Sequence, residues 1–319
     1  MHPAFSVIFF TVVSGIGYGL LFVLAVVLLL NPITFARDAT LTLLVLGAVL
    51  VSAGLIASTL HLGQPQRAWR AFSQWRSSWL SREGVAAMCT FAPIVGLGVC
   101  AAQNGEATVL RAWAVLLAAL AAVTVACTAK IYTSLKTIPA WHDALVLPGY
   151  LCLGLLNGAV WCWAVGMLLR APIGGTASRL VLLLLAAGAS ALKLAYWRRI
   201  RSAAPVATAE SATGLGRFGV VRSVEAPHTE ANYLTREMGF VLARKHAWRL
   251  GRVALALLGP VPAVLIVASL LVPSAGFVAV CAVAAAACIT AGTFVERWLF
   301  FAEAKHVVML YYGGRSEPA

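Results

Sequence analysis

Charge is scarce in this chain of 319 residues: Asp, Glu, Lys and Arg make up 11% of it, only 11 residues are acidic, and hydrophobic residues reach 61%. A soluble globule needs a polar surface, which a chain with a mean hydropathy of +0.89 cannot supply. The seven cysteines, Cys89, Cys100, Cys127, Cys152, Cys162, Cys281 and Cys288, show no C-x-x-C spacing and all fall within apolar runs. They read as small packing residues, which argues against an iron-sulfur cluster or a zinc site in this chain. The histidines are His2, His61, His142, His228, His246 and His306, and each lies at the end of an apolar run or in a polar segment. A b-type haem would want two axial histidines inside the bundle, and no such pair stands there.

What is abundant is apolar sequence in long runs: Phe5 to Leu30, Leu41 to Leu60, Gly84 to Ala102, Val109 to Ala129, Ala144 to Leu169, Leu180 to Tyr196, Val253 to Val272 and Gly276 to Phe301. Each approaches or exceeds the ~20 residues a helix needs to cross the hydrocarbon, and none alternates as a barrel strand would. The expected fold is an all-α integral membrane protein, one domain over residues 1–319 with eight transmembrane helices in a bundle. The first run has no basic leader or small-residue cleavage site and reads as a retained helix. Gly15 and Gly19 form a G-x-x-x-G suited to helix packing, and Gly259, Pro260 and Pro262 interrupt the seventh run.

Of the 24 basic residues, 20 fall on one side of the alternation; only Arg37, Arg111, Arg170 and Arg179 fall on the other. The positive-inside rule makes the first side cytoplasmic and puts both termini there. A basic face of this kind also touches anionic lipid, and it does not imply nucleic acid. Glu83, Lys130, Lys193, Glu296 and Arg297 stand near helix ends on that same side. The outer half holds no ionisable chain, which argues against a pump or a charged relay across the bilayer.

The stretch "STLHLGQPQRAWRAFSQWRSSWLSREG", Ser58 to Gly84, departs from this background with three tryptophans, four arginines, a histidine and a glutamate. Trp69, Phe72, Trp75 and Trp79 are spaced to share one side of a short interfacial helix, with Arg67 and Arg70 pointing elsewhere. An aromatic belt accounts for the tryptophans and leaves His61 and Glu83, which bracket the loop at 61–82. Ser81 can cap the third helix with Glu83 in its first turn, a purely structural role. Alternatively the two meet in one pocket, where a histidine and a carboxylate can exchange protons with a quinone.

The order His-Leu-Gly-x-Pro-x-Arg-Ala at His61 to Ala68, followed by Leu-Ser-x-Glu at Leu80 to Glu83, resembles the membrane-anchor family of dimethyl sulfoxide reductases. So do "KIYTSLKTIPAW" from Lys130, "TGLGRFG" from Thr213, "REMGFVLARKHA" from Arg236 and "ERWLFFAEAKHVVMLYYG" from Glu296, so the resemblance spans almost the whole sequence. It implies an eight-helix anchor that holds an iron-sulfur electron-transfer subunit and a molybdopterin catalytic subunit to the membrane and exchanges electrons with quinone or quinol. On that resemblance the molybdopterin and clusters reside in the partners, and the quinone-site histidine and glutamate correspond to His61 and Glu83. Arg67, Trp69, Lys130 and Tyr132 are further quinone-binding candidates from their placement at the same end. Because the charge count puts the matching loop inside the cell, the protein is more similar to anchors of cytoplasm-facing sulfite dehydrogenases. A dimethyl sulfoxide or related reductase is the alternative.

Residues 198–252 form the largest polar segment and are expected to dock the partner subunits. Gly214, Gly216 and Gly219 spell G-x-G-x-x-G without a preceding strand, so nucleotide binding is rejected. A transporter would want a mid-membrane polar site and inverted repeats, of which only a faint echo between the Pro65 to Trp69 and Pro139 to Trp141 loops is present. A purely structural anchor predicts no effect of changing His61 or Glu83.

Overall fold

A computed structural model describes residues 4–30, 37–60, 62–103, 105–171, 175–204, 206–222, 224–225 and 242–310, without the side chains of 242–245. Among these residues every regular element is helical. In order along the sequence the α-helices are α1 (Phe5–Leu30), α2 (Arg37–Thr59), α3 (Trp79–Ala102), α4 (Ala107–Thr133), α5 (Val146–Leu168), α6 (Thr176–Ser202), the short α7 (Ala209–Thr213), α8 (Leu242–Leu258), α9 (Pro260–Leu271) and α10 (Ala275–Ala302). Eight stretches are long and apolar enough to cross a membrane, with α8 and α9 together supplying the seventh as His246–Leu271.

The helices run past the apolar runs at several ends. Helix α2 begins at Arg37, α3 at Trp79 and α6 continues to Ser202. Hydropathy marks where the hydrocarbon lies, but backbone N–H and C=O groups need partners through the interface as well, and continuing the helix supplies them. The seventh span breaks at Gly259, with φ −119° and ψ −89°, because Pro260 starts α9 without an N–H to donate back into α8. A side chain at Gly259 would collide with the Ser190 hydroxyl of α6.

Helix α1 runs through the middle of the bundle and touches α2, α4, α5 and α10. Glycine permits the closest of these approaches. A Cβ on Gly19 would overlap the Gly154 carbonyl of α5, and one on Gly158 would overlap the backbone of Gly19 and Leu20. On the α2 side, a Cβ on Gly54 would stand 2.8 Å from the Ser14 Cβ. Lipid tails are as apolar as leucine, so such helices associate through close packing rather than by escaping water. Around this axis lies one apolar core that includes Leu20, Leu24, Leu43, Leu97 and Leu117. A second, among α5, α6, α8, α9 and α10, includes Leu156, Trp163, Leu258, Ile266 and Ile289.

Outside the spans, Thr208 and Ser211 cap α7 reciprocally, and Gly214 (φ 69°) closes it in the left-handed conformation. Gly219 also has a positive φ, 134°. Two of the three glycines in the G-x-G-x-x-G spacing thus serve local turns.

We expect Gly19→Val or Gly158→Val to force α1 and α5 apart, costing at least about 3 kcal/mol and most of the folded, monodisperse protein on size-exclusion chromatography. Gly15→Ala should be tolerated, since nothing lies within 4 Å of where its Cβ would stand.

Candidate functional site

The aromatic-basic segment forms a 3-10 helix, Pro65–Gln74, with Pro65 in its first turn. The sequence spacing was compatible with an α-helix. At three residues per turn, however, Trp69, Phe72 and Trp75 come into register one above another. Trp69 is 65% exposed, Phe72 40% and Trp75 53%, while Trp79 belongs to α3 and is half-buried. The guanidinium of Arg70 lies 5.7 Å from the Trp69 ring centroid and that of Arg76 lies 5.4 Å from the Trp75 centroid. Arg67 is exposed.

Arg82 fastens this segment to α3. Its Nε donates to the Trp75 carbonyl at 3.0 Å, its Nη2 donates to the Arg76 carbonyl at 2.6 Å, and its guanidinium stands 4.3 Å from the Trp79 ring centroid. The Phe72 ring then lies over Gly84, 3.1 Å from where a Cβ at that residue would stand. The roof therefore rests directly beside Glu83.

Helix α3 starts earlier than the cap proposed from sequence. Ser78 is the N-cap residue, without a side-chain capping bond, and no acid lies in the first turn. Ser81 is instead buried inside the helix, its hydroxyl without a partner among the described residues. Glu83 is the fifth residue of α3, past the turn where a carboxylate complements the helix dipole. Its side chain points into the bundle, 4% exposed.

There Glu83 meets Thr128 of α4, whose hydroxyl donates to its carboxylate and also lies 3.1 Å from the Thr124 carbonyl. One hydroxyl hydrogen thus faces two acceptors. When Glu83 carries a proton it can donate to Thr128, leaving that hydroxyl free to donate to Thr124; when Glu83 is ionised, the Thr128 hydrogen serves the carboxylate. The pair accommodates both protonation states without moving backbone.

Tyr132 lies on the same face of α4, one turn beyond Thr128, and is buried in an aromatic cage. It stacks on Tyr150 at 5.8 Å between centroids and meets Trp141, Phe300 and Phe301 edge-on at 5.2, 5.5 and 5.4 Å. Trp141 Nε1 donates to the Phe300 carbonyl at 2.9 Å, tying the loop before α5 to α10. Lys130, two residues from both Thr128 and Tyr132, points away from that face and is half-buried. The structure therefore gathers Glu83 and Tyr132, leaves Arg67 and Trp69 on the exposed roof, and separates Lys130 from them. His61 lies outside the described residues.

A second polar cluster was visible in the sequence only as charges near helix ends. Lys193 of α6 and Glu296 of α10 form a fully buried ion pair, and Arg297 Nε lies 3.2 Å from the other Glu296 oxygen. The Arg297 guanidinium sits 3.6 Å from the Tyr150 ring centroid, and the Lys193 ammonium 4.1 Å from that of Tyr196. A carboxylate and two aromatic faces thus compensate two cations. Deeper in the bundle, Asn157 Nδ2 donates to Thr293 Oγ1 at 2.8 Å, and Trp161 Nε1 donates to Thr290 Oγ1 at 3.0 Å. Lys193, Glu296 and Arg297 were the available signal, as charges near helix ends on one side; that they meet was not.

At the membrane end of the cluster, burial raises the Glu303 carboxyl above its usual range, opposed by Arg201 at 3.9 Å. Burial lowers the His306 imidazole, whose Nδ1 accepts the Val308 N–H at 3.0 Å, while the Val307 N–H donates to the Thr137 carbonyl at 3.1 Å. Among the described residues no three His, Cys, Asp or Glu side chains converge as a metal site would require.

Comparison with known proteins adds lineage to this geometry. The family described as "DMSO reductase anchor subunit (DmsC)" matches residues 1–312. The protein is 32% identical over 329 residues to the C subunit of the sulfite dehydrogenase of Allochromatium vinosum, an alignment spanning 98% of this sequence and 99% of that one. It is 30% identical over 135 residues to the C component of the anaerobic dimethyl sulfoxide reductase of Escherichia coli, spanning 42% of this sequence and 46% of that one. No solved structure matches.

Two outcomes follow from the buried groups. Glu296→Gln leaves two cations with a neutral amide and should cost about 3–5 kcal/mol in thermal unfolding, part of it recovered by adding Lys193→Met. His306 should hold the Val308 amide only while neutral. Since folding lowers its affinity for protons, that stability is whole above the ordinary value of 6.5 and is lost as pH falls from there through the lowered one. Hydrogen exchange at Val308 should accelerate over that acid interval.

Proposed function

This chain belongs to the DMSO reductase anchor subunit family, and from that premise we propose that it is the quinone-reactive anchor of a molybdopterin oxidoreductase complex that oxidises sulfite on the cytoplasmic side of a bacterial inner membrane. Family membership makes it a multi-pass anchor subunit of a dimethyl sulfoxide reductase-type or sulfite dehydrogenase complex. The remainder is a reading of the site. One observation carries it: Glu83 is buried one turn inside α3 and bonded to Thr128, and the next residue, Gly84, lies against Phe72 of the aromatic segment that Arg82 clamps down.

A quinone supplies a two-electron, two-proton acceptor. What the protein must provide is a proton group near the ring oxygens that is reachable from the aqueous phase, and a surface that holds the ring at headgroup depth. Glu83 and His61 are assigned the proton exchange. Trp69 and Phe72, with Arg67 as a further contact, are assigned the binding surface, whereas Lys130 and Tyr132, expected there from the sequence, face elsewhere in the structure. The cavity that Thr128 lines on the far side from Glu83, about 20 Å³, admits a water rather than a ring. The ring therefore belongs on the lipid side of the segment, with Glu83 reaching it from within.

Orientation rests on charge, since by sequence 20 of the 24 basic residues fall on the side of the alternation that holds Glu83. With eight crossings, the start of the first span and the end of the last lie on that same side. Residues 198–252 are assigned to the iron-sulfur and molybdopterin subunits. Outside the spans this region exposes Leu215, Phe218, Val220 and Val224, the last two at 79% and 98%, as a partner surface would. Sulfite is preferred over dimethyl sulfoxide because the sulfite dehydrogenase subunit matches end to end, whereas the dimethyl sulfoxide reductase component matches over less than half of either protein.

In the purified complex, His61→Ala or Glu83→Gln should lower quinone-linked turnover about 10²-fold relative to turnover with a soluble electron carrier, with the partner subunits still co-purifying. The double variant should cost little more than the worse single one. Unchanged quinone kinetics in both single variants would leave the protein a structural anchor.

A further inference from the structure

Between α1, α4, α5 and α10 lies an internal cavity of about 20 Å³ lined by Tyr18, Thr128, Tyr150, Asn157, Thr293 and Arg297, among others. Most of its surface is apolar, from Val12, Ile16, Val125 and Leu153 among others, and these polar side chains interrupt it. Tyr18 and Tyr150 both line it and are 2% and 5% exposed; Thr124 stands near the Tyr18 hydroxyl, and Arg297 and Tyr132 near that of Tyr150, but none is placed to complete a well-formed hydrogen bond. Buried phenols ordinarily find one. The volume exceeds the roughly 10–15 Å³ that one water requires, and a buried water typically makes about three hydrogen bonds, a number this lining can provide.

The cavity also lies between the two clusters that the helices otherwise keep apart. Thr128 is the hydroxyl bonded to Glu83, and Arg297 belongs to the Lys193–Glu296 ion cluster and stacks on Tyr150. We infer that the cavity holds one bound water, clasped by the Tyr18 and Tyr150 hydroxyls, that joins the Glu83–Thr128 pair to the Arg297 cluster and makes both tyrosines positioning residues for proton exchange at Glu83. The second half of this inference rests on the quinone reading; the water does not. When Glu83 gives up its proton, the hydroxyl hydrogen of Thr128 turns to the carboxylate. A neighbouring water can reorient with it, so that the new charge meets a mobile dipole rather than a dry wall.

Tyr18→Phe and Tyr150→Phe in the purified complex decide the matter, because each removes one oxygen and keeps the ring. In a dry cavity the phenol oxygen is an unpaired buried polar group, and its removal raises the apparent Tm. In a hydrated cavity its removal takes away a hydrogen bond, and the apparent Tm falls by about 1–3 °C. The fall is the expected result in both variants; a rise or no change overturns the bound water. In Tyr18→Phe, quinone-linked kcat should also drop about tenfold with KM little changed. Wild-type kcat alongside a lowered Tm would leave the water in place and overturn its part in proton exchange. The quinone reading is judged separately by Glu83→Gln, whose kinetics do not enter the Tm comparison.

Discussion

Where α1 crosses α5, Gly19 meets Gly154 and Gly158 with backbone against backbone, and at Gly19 and Gly158 no side chain larger than hydrogen fits. That contact sets how near the central helix comes to the other spans. It brings Tyr18 of α1 and Tyr150 and Asn157 of α5 to one cavity, with Thr128 and Arg297 also on its walls. In a bilayer no escape from water drives helices together, so van der Waals contact of this kind carries the association. A substitution at the crossing would therefore disturb chemistry a full helix away.

The second constraint is the cost of charge in hydrocarbon. Among the described residues, the deeply buried ionisable groups Glu83, Lys193, Glu296 and Arg297 all stand toward the same end of the bundle, and each touches a specific partner. Lys193 and Arg297 share Glu296 and lie over tyrosine faces. Glu83 has a single hydroxyl. That difference separates a group held permanently charged by its neighbours from one whose surroundings accept either protonation state, which is the property wanted of a proton-exchanging acid.

The roof over Glu83 depends on a charge used in the same way. Arg82 directs its guanidinium to two backbone carbonyls and a tryptophan face, so a segment with little buried surface of its own is fixed to the start of α3. The aromatic side chains remain exposed, as suits an element lying among headgroups rather than in a core.

Eight spans were legible because bilayer thickness dictates run length, and the charged end was legible because basic residues collect on one side. Glu83 stood out as an acid beside an aromatic loop, and the glycine pair on α1 as a packing motif, of which only Gly19 makes the close contact. Hidden were the true start of α3 at Trp79, the 3-10 winding of Pro65–Gln74, the pairing of Lys193 with Glu296, and the single cavity that Tyr18 and Tyr150 share. In a membrane helix the lipid-facing and core-facing sides are both apolar, so the amphipathic period that reveals the inward face of a soluble helix is nearly absent. Sequence alone thus determined what crosses the membrane and which end carries the charge; which buried polar groups meet was decided only when close helix packing chose the inward faces.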